Sequence, residues 1–489
     1  MKLTNIFGLT CMFKPVSSKK IACAKDIACA KDIACVKGIA CVKDITYVKN
    51  ISYVKNIVCV LSVISFLTVS GGEVSAQPGS LQQSYREKVK EYSKEIKASG
   101  YSVSAGMEKQ KSAKADFLPS LSGNADFQYT GNALQLSKEI PSLGVPVEFT
   151  GRNSKYGASL TLAQPLYTGG ALKAGLGKAT AEKEMAVNES QRVTNNILYD
   201  ADTYYWNKVA LDEIKNVALE YMESVSALAD VVKGRVDEGY TDRNDLLMTQ
   251  VKLNDAEYRY IQACNKAEVA RMSMNSFSGV PFDEIIETDT IVQPLADEEI
   301  EGDYFTSIYS RPELDIAGNL VEIEKYNSRI ASSRYLPSLS VGVSGSYSSP
   351  GYDFMKDMDP NYAVYVNLSV PIFEWGKRKN TRRIGEFSVM KAEANRDKIA
   401  DDIRLEIETA RYSYTESVSK VLLTENSLEK AEESENLAKE KYLEGTVSIV
   451  EVINAQIYHQ DAKINYIQSK LDAQIAKSAL LRAMGVIDK

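Results

Sequence analysis

RVDEGYTDRNDLLMTQVKLNDA, residues 235–256, recurs as KYLEGTVSIVEVINAQIYHQDA, residues 441–462. The pairs that align at a constant offset of 206 residues include Gly239 with Gly445, Gln250 with Gln456 and Ala256 with Ala462. Each copy predicts the end of a long helix, a reversal centred on glycine, and the start of a returning helix. A constant offset shows that neither copy carries an insertion relative to the other, as expected if both build one packed element. We therefore expect the two reversals to form the mouth of a tube.

Helical periodicity extends on both sides of each reversal. A helix without proline is predicted from YTGG, residues 167–170, to about Asp237, which is roughly 65 residues or about 100 Å long. A helix of this length does not fit within a compact globule, so it indicates a coiled coil or a larger assembly. A second long helix is predicted from about Lys377 to Glu444. Residues that alternate three and four positions apart are typical of a coiled-coil seam. The first long helix has this spacing at Leu211, Ile214, Ala218, Tyr221, Val225, Leu228 and Val232. The two returning helices have it at Leu246, Thr249, Leu253, Ala256, Tyr260, Ala263, Ala267, Ala270, Met274 and Phe277, and at Val452, Ala455, His459, Ala462, Tyr466, Ser469, Ala473, Ala476 and Leu480.

Four segments alternate with period two instead, and each is predicted to be a strand with one apolar and one polar face. The segments are LPSLSGNADFQYTGN (residues 118–132), SKYGASLTLAQP (154–165), YLPSLSVGVSGSY (335–347) and YAVYVNLSVP (362–371). A charged helix is predicted before the first segment, over residues 81–115, and another from about Pro312. The residues between the first two strands, 131–154, are predicted to be a long loop.

The amino terminus differs from the rest of the chain. Six of the seven cysteines lie in the first 59 residues, and four of these six lie within six-residue repeats that run from IACAKD to ISYVKN. A metal site is one interpretation, but the later copies replace Cys with Tyr, which favours a duplicated leader or a start assigned too far upstream. The apolar run 57–70 and Val74-Ser75-Ala76 then predict a secretory signal cleaved after Ala76. We therefore divide the chain into a leader, residues 1–76, and two repeats, 77–301 and 302–489, joined by an acidic linker after Gly279-Val280-Pro281.

Charge and composition exclude several classes of protein. The chain is 44% hydrophobic and 25% charged with a net charge of −7, and the first 76 residues carry ten Lys against three Asp and one Glu, so the remainder is −13. An acidic exported protein is a poor binder of nucleic acid. No run of 18 apolar residues follows Ala76, so no membrane-spanning helix is predicted. The remaining options are a soluble protein, a peripheral protein and a β-barrel.

Four amphipathic strands cannot close a barrel with a lumen, and open edges are not tolerated in lipid. Copies of the chain would have to share one barrel, of eight strands for two copies or twelve for three. Eight strands leave little interior space beyond side chains, so twelve fits the polar inner faces better. A soluble sandwich with one wet face is the alternative interpretation. Aromatic residues at the strand ends are typical of interfacial girdles: Phe127, Tyr129, Tyr156, Tyr347 and Tyr362.

These features together resemble the TolC family of outer-membrane efflux proteins. The resemblance rests on QPLYTGG (residues 164–170), VPIFEWGKR (370–378), the long helices and both glycine reversals, and it spans residues 81–486. It implies a mainly α protein with a membrane β-barrel: two structural repeats, long coiled-coil helices that form an α-barrel across the periplasm, and four strands per protomer in a shared twelve-stranded trimeric β-barrel. The implied function is a passive exit duct in the cell outer membrane, for tripartite efflux or type I secretion. The implied partners are a periplasmic adaptor protein, an inner-membrane transporter and outer-membrane lipid.

In this family the periplasmic end is closed by inward-coiled helix tips. Carried over residue by residue, Asp245 and Tyr442 match residues that link the tips. Glu451 matches an acidic residue that rings the constriction; an exposed acid that complements the helix dipole is the alternative interpretation. Asn454 stands where a second acid is usual, and Val447 where an arginine link can occur. The closed state is therefore expected to be held differently here.

The tips are also where family members meet their adaptors. The resemblance makes Arg235, Gly239 and Tyr240 in the first copy, with Lys441 and Gly445 in the second, the candidates for docking. Glycine at a reversal permits the positive φ that a tight turn after a helix requires.

Two other classes of function remain as alternatives. An enzyme is disfavoured, because the only histidine, His459, falls on a coiled-coil seam and no metal-ligand spacing accompanies it. Gly169-Gly170 lacks the Lys-Ser/Thr pattern of a phosphate loop, so no cofactor is expected. A periplasmic or surface coiled-coil protein, such as an adhesin, would explain the helices but leaves the strands and the duplication without a role. The sequence does not indicate the cargo.

Overall fold

Two helices of 67 residues each dominate the structure, a computed structural model that describes residues 80–133, 135–139, 146–295, 307–350 and 357–488. The predicted leader, residues 1–76, lies outside the described residues. Numbered in chain order, the helices are α1 (Ser80–Tyr92), α2 (Lys94–Ala115), α3 (Ala171–Asp237), α4 (Arg243–Ser278), α5 (Pro312–Ser333), α6 (Lys377–Leu443) and α7 (Ile449–Ala483), and the strands are β1 (Ser120–Tyr129), β2 (Gln135–Glu139), β3 (Pro146–Thr150), β4 (Ser154–Thr168), β5 (Ser338–Ser349) and β6 (Asp359–Ser369).

The long helices and their returning partners form two antiparallel hairpins. α4 packs along α3, and α7 packs along α6. α7 also contacts α3, so it is bordered by two helices, whereas the extensive contacts of α4 are with α3. Predicted seam residues that are buried include Val225, Thr249, Ala256, Val452 and Ala473, each at 0% exposure. Small seam residues let these helix axes approach closely, as the spacing predicted.

The four predicted strands form one antiparallel sheet in the order β1-β4-β5-β6. Leu121 of β1 faces Leu162 of β4, Leu162 faces Val343 of β5, and Val343 faces Val364 of β6, so one apolar row crosses all four strands. The predicted alternation is therefore confirmed. Neither face of β1 is covered, since all ten of its residues are exposed, and a sandwich buried on one side is not what the described residues form.

Two sequence-based predictions need correction. The predicted loop 131–154 contains the hairpin of β2 and β3, in which Glu139 pairs with Pro146. Prolines in this stretch suggested a loop, but proline is tolerated at the first residue of a strand. The single helix predicted over 81–115 is two helices, because Ser93 leaves the helical conformation and accepts a hydrogen bond from the amide of Ile96 at 3.3 Å as the cap of α2.

The predicted linker after α4 contains no helix or strand in its described part. Its described part, residues 279–295, packs on the helices, with Ile286 and Val292 at 7% and 0% exposure. Asn275 donates from Nδ2 to the carbonyls of Pro281 and Glu284 at 2.8 and 2.7 Å. These two bonds hold the start of the linker against α4. Apolar residues scattered among acids were not recognised as core residues.

The main core lies where α1 crosses α3 and α4, beside α7. Its fully buried members include Tyr85, Tyr205 and Val209. Asp202 accepts from Nε and Nη2 of Arg86, at 2.7 and 2.5 Å, and from Ser478 Oγ at 2.6 Å, so the buried carboxylate is paired. In the part of the chain that the structure describes, no helix has the length and apolarity needed to cross a membrane.

Candidate functional site

The two glycine reversals share one backbone geometry. Gly239 and Gly445 have φ of +79° and +76°. The amide of Tyr240 donates to the carbonyl of Arg235 at 2.8 Å, and that of Thr446 to Lys441 at 2.9 Å. These are the bonds of a Schellman motif, which satisfies carbonyls left open at a helix end. The repeat predicted from sequence is thus a repeat of local structure.

A glycine with positive φ lies at each end of the returning helices α4 and α7, and the space around it differs between the two ends. At the tips a Cβ on Gly239 would meet no atom within 4 Å, and one on Gly445 only Arg235 Nη2 at 3.7 Å. At the opposite ends, a Cβ on Gly279 would come within 2.1 Å of the Tyr92 ring, and one on Gly485 within 2.7 Å of the Ser310 carbonyl. The tips are open and the opposite ends are tightly packed.

An apolar cluster closes the space between the hairpins just behind the tips. Its buried members are Leu228, Val232, Tyr442, Ile449, Val452 and Ile453. Val447, where an arginine link can occur in the family, is partly buried against this cluster. The Tyr442 hydroxyl is buried without a hydrogen-bond partner in the described residues. Burial raises the pKa of Tyr442, against the opposing effect of the nearby Arg235 charge.

Arg235 joins the first hairpin to the second. Its Nη1 donates to the carbonyls of Tyr442 and Leu443 at 2.8 and 3.4 Å, and its guanidinium lies 4.9 Å from the centre of the Tyr442 ring. A cation at the carboxyl end of a helix complements its dipole, and one over a ring face adds a cation–π contact. The sequence predicted a docking role for Arg235, whereas in the structure its side chain contacts α6 within the same chain.

Asp245 lies at the start of α4, where its carboxylate accepts from Thr241 Oγ1 at 2.5 Å. Asp242 caps this helix by accepting from the amide of Asn244 at 3.4 Å. The Asp245 charge is among the influences that raise the pKa of Tyr442. The structure therefore brings Asp245, Tyr442 and Arg235 into one neighbourhood, although the sequence analysis assigned Arg235 to docking and the other two to the gate.

The remaining candidates are on the surface of the protomer. Glu451 and Asn454, in the first turns of α7, are exposed, while Val452 between them is buried. Tyr240 is 74% exposed, and Lys441 of the other hairpin is also exposed. These side chains are available to groups outside the protomer.

A polar layer behind the apolar cluster was missed by sequence reasoning. Glu435 of α6 is 7% exposed and binds Lys439 Nζ at 2.6 Å and His459 Nδ1 of α7. Lys439 and Gln456 Nε2 both donate to Ser224 of α3, at 3.2 and 3.0 Å. Burial acts to raise the pKa of Glu435, but the bonds from Lys439 and His459 outweigh it and lower that pKa. The layer fastens three helices together.

The single histidine of the sequence, His459, belongs to this polar layer. His459 is engaged with Glu435, as a packed polar residue would be. Among the described residues no three His, Cys, Asp or Glu side chains are grouped in a way that could hold a metal ion. Charge at the tips is placed to join helices and to face the surroundings.

Comparison with known proteins adds a family match. The family model described as outer membrane efflux protein matches residues 86–280 and 307–486. The alkaline protease secretion protein AprF of Pseudomonas aeruginosa is 24% identical over 349 residues, covering 68% of this chain and 70% of AprF. The outer membrane protein TolC of Salmonella enteritidis is 20% identical over 445 residues, covering 86% and 85%.

Solved structures show the same fold. The Campylobacter jejuni CmeC outer membrane channel superposes with a TM-score of 0.68 at 15% identity, over 83% of this chain and 86% of that one. Both halves of the chain, with their strands and long helices, are thus arranged as in known outer-membrane channels.

Proposed function

Because the chain belongs to the outer membrane efflux protein family, we propose that three copies of it form a passive exit duct that serves a tripartite efflux or type I secretion system. Its fold is that of an outer-membrane channel protomer, so the chain resides in the outer membrane and extends into the periplasm. The relatives are channel proteins rather than enzymes. The proposal adds the number of copies, the partners and the residues of the gate.

The observation that carries the trimer is the open sheet. Among the described residues β1 and β6 each pair on one side only, so both edges offer unpaired backbone groups. Apolar side chains on the sheet are exposed, among them Leu121 at 69%, Val364 at 70% and Leu368 at 63%. Unpaired edges are not stable in lipid. Three copies pair every edge in a barrel of twelve strands, which is wide enough for a lumen.

The partners are proposed from the exposure of the tips. Gly239, Tyr240, Lys441 and Gly445 lie on the open surface of the reversals, where a periplasmic adaptor that is bound to an inner-membrane transporter would meet them. Arg235 contributes indirectly, because it holds the second reversal in place from the first. The two repeats, residues 77–301 and 302–489, supply one reversal each.

The gate is proposed from the charges of the tips. Glu451 and Asn454 are exposed where α7 begins, and we place both at the constriction of the duct, with Asp245 and Tyr442 linking the closed tips. Three Glu451 carboxylates in a narrow pore would attract cations and repel anions. With asparagine at position 454, this protein has one ring of charge where a second acid is usual in the family.

Single-channel recording from the reconstituted protein tests this function. Glu451→Gln removes the proposed ring of charge, and we expect the cation-to-anion permeability ratio to fall about threefold or more. Glu444→Gln is the matched control, because Glu444 is an exposed acid of the same tip that ends α6. An unchanged ion preference in Glu451→Gln, or an equal fall in both variants, would contradict the placement of Glu451 in the pore.

A further inference from the structure

The segment between β6 and α6 exposes large apolar side chains. Ile372 is 93% exposed, Phe373 69% and Trp375 88%. The Phe373 and Trp375 rings stack edge to face with their centres 4.9 Å apart. Exposed aromatic residues that fill no core require a partner outside the protomer. We call Ile372, Phe373 and Trp375 the junction cluster.

Trp375 has an unusual backbone conformation. Its φ is +46°, and it is the residue at the position where the first repeat has Gly169, with φ of +62°. A left-handed conformation is easy for glycine and strained for a bulky side chain. A Cβ on Gly169 would come within 2.6 Å of the Ser333 carbonyl, so only the second repeat has room for a side chain. Strain of this kind is kept where the side chain serves a function.

A group of cations follows the junction cluster directly. Lys377, Arg378, Lys379 and Arg383 are exposed, and none of them has an anionic partner within the described residues. The first turn of α6 contains no acid. Cations at the amino end of a helix oppose its dipole, so the arrangement is unfavourable unless an anion lies nearby. At the same positions α3 has Ala171, Leu172, Lys173 and Gly177.

The junction cluster continues the lipid-facing side of the sheet. Alternate residues of β6 and of the segment after it form one apolar stripe, with exposures of 70% at Val364, 68% at Val366, 63% at Leu368, 49% at Val370 and 93% at Ile372. Beyond Ile372 the chain continues through Glu374 to Trp375 and then to the cations. The same succession runs from the hydrocarbon of a bilayer through its interface to the headgroup phosphates.

We propose that the junction cluster and the cations after it bind the headgroup of an anionic phospholipid in the periplasmic leaflet of the outer membrane. The Trp375 indole lies at the level of the lipid carbonyls, with its N–H directed to the polar side. Lys377, Arg378 and Lys379 contact the phosphates. This site occurs once per protomer, because the first repeat has glycine in place of the tryptophan and keeps only Lys173 of the cations. The proposal rests on the outer-membrane location of the chain and is independent of the gate.

Tryptophan fluorescence tests the proposal in the assembled protein. The chain has two tryptophans, and Trp206 is 5% exposed. Trp206→Phe therefore leaves Trp375 as the only emitter. The variant is reconstituted in phosphatidylethanolamine vesicles that contain an equal mole fraction of either phosphatidylglycerol or additional phosphatidylethanolamine, brominated near the headgroup in each case. We expect brominated phosphatidylglycerol to quench Trp375 at least about twofold more strongly.

Charge variants distinguish binding at these cations from a general attraction of anionic lipid to the protein. Combining Lys377→Gln, Arg378→Gln and Lys379→Gln should abolish the preference for phosphatidylglycerol. The matched control combines Lys398→Gln, Arg404→Gln and Arg411→Gln, which removes three cations of the same helix away from the membrane and should retain it. Equal quenching by both lipids would overturn the proposal, and so would an equal loss in the control. Absence of quenching by either lipid would show that a neighbouring subunit covers Trp375, and it would also overturn the proposal.

A second measurement does not depend on the emitter. Trp375→Gly restores the residue type of the first repeat, so the backbone is relaxed and the channel should assemble. Native mass spectrometry of this variant, extracted in mild detergent, should show at least about twofold less bound phosphatidylglycerol than the unmodified channel. Undiminished binding of phosphatidylglycerol would show that the Trp375 indole does not contact the lipid, and it would contradict the proposed site.

Discussion

Arg235 shows how one side chain can couple the two repeats. It donates to the last carbonyls of α6 and covers the Tyr442 ring, although it belongs to α3. The second reversal is thereby held by the first. Any motion that separates the hairpins at the tips has to break these contacts.

Arg235→Ala should loosen the second reversal. Charge-assisted bonds at a partly exposed site contribute about 1–2 kcal/mol, so amides of residues 441–447 should exchange hydrogen about tenfold faster. Hydrogen exchange with mass spectrometry measures this. Arg243→Ala is the matched control, since Arg243 is exposed at the same tip and has no ion pair or side-chain hydrogen bond in the described residues. If both variants exchange alike, the contact to Tyr442 and Leu443 has no role in closing the tips.

At the scale of elements, the polar layer determines how α6, α7 and α3 are joined. Glu435 carries two bonds from different helices, and its pKa is lowered because those bonds outweigh burial. A group with a lowered pKa in the folded state contributes stability above its unfolded pKa of about 4.3, and that contribution is lost as the pH falls below it. The layer should therefore weaken in acid.

Glu435→Gln should cost about 2 kcal/mol at neutral pH, because Lys439 loses its charged partner in a buried site. The decline in melting temperature from pH 5 to pH 3 should also be shallower in this variant than in the unmodified channel. Glu416→Gln is the control, as Glu416 pairs with Lys420 on the exposed face of the same helix and should cost less than about 0.5 kcal/mol. Thermal melts across this pH range measure both effects. Parallel curves of melting temperature against pH for Glu435→Gln and the unmodified channel would contradict a stabilising role of the Glu435 charge.

At the scale of the whole molecule, a single-layer sheet with two open edges requires other copies. The described part of the chain covers neither edge, and its β2–β3 hairpin pairs only within itself. Edge pairing between copies predicts that β1 of one protomer lies beside β6 of the next.

Engineered disulfides test this pairing. In a Cys264→Ser background, Asn124→Cys on β1 is combined in turn with Asn361→Cys, Asn367→Cys and Ser369→Cys on β6. Because register has a period of two, oxidation should link one of these combinations into a covalent trimer on denaturing gels. Asn124→Cys alone is the control and should remain monomeric. Products that stop at dimers in every combination would rule out three copies.

Sequence reasoning located elements better than contacts. Both long helices end within about one residue of their predicted limits, since glycine with positive φ marks each carboxyl end and neither helix contains proline. The strands were found because alternation is local. The Glu435–His459 pair and the contact of Arg235 with Tyr442 were missed, because residues 24 and 207 positions apart meet only after the hairpins pack. Trp375 was hidden for another reason: its position matters only once its backbone conformation is known.

The glycines at the two ends of the returning helices have a mechanical consequence. Gly279 and Gly485 are wedged against Tyr92 and Ser310, whereas Gly239 and Gly445 have open space around them. Each returning helix is therefore tightly packed at its carboxyl end and open to its surroundings at the tip. α7 packs on both α6 and α3, whereas α4 packs on α3 and, less extensively, on α1. We therefore expect the tips of these helices to move more readily than their opposite ends, because only the opposite ends are tightly packed.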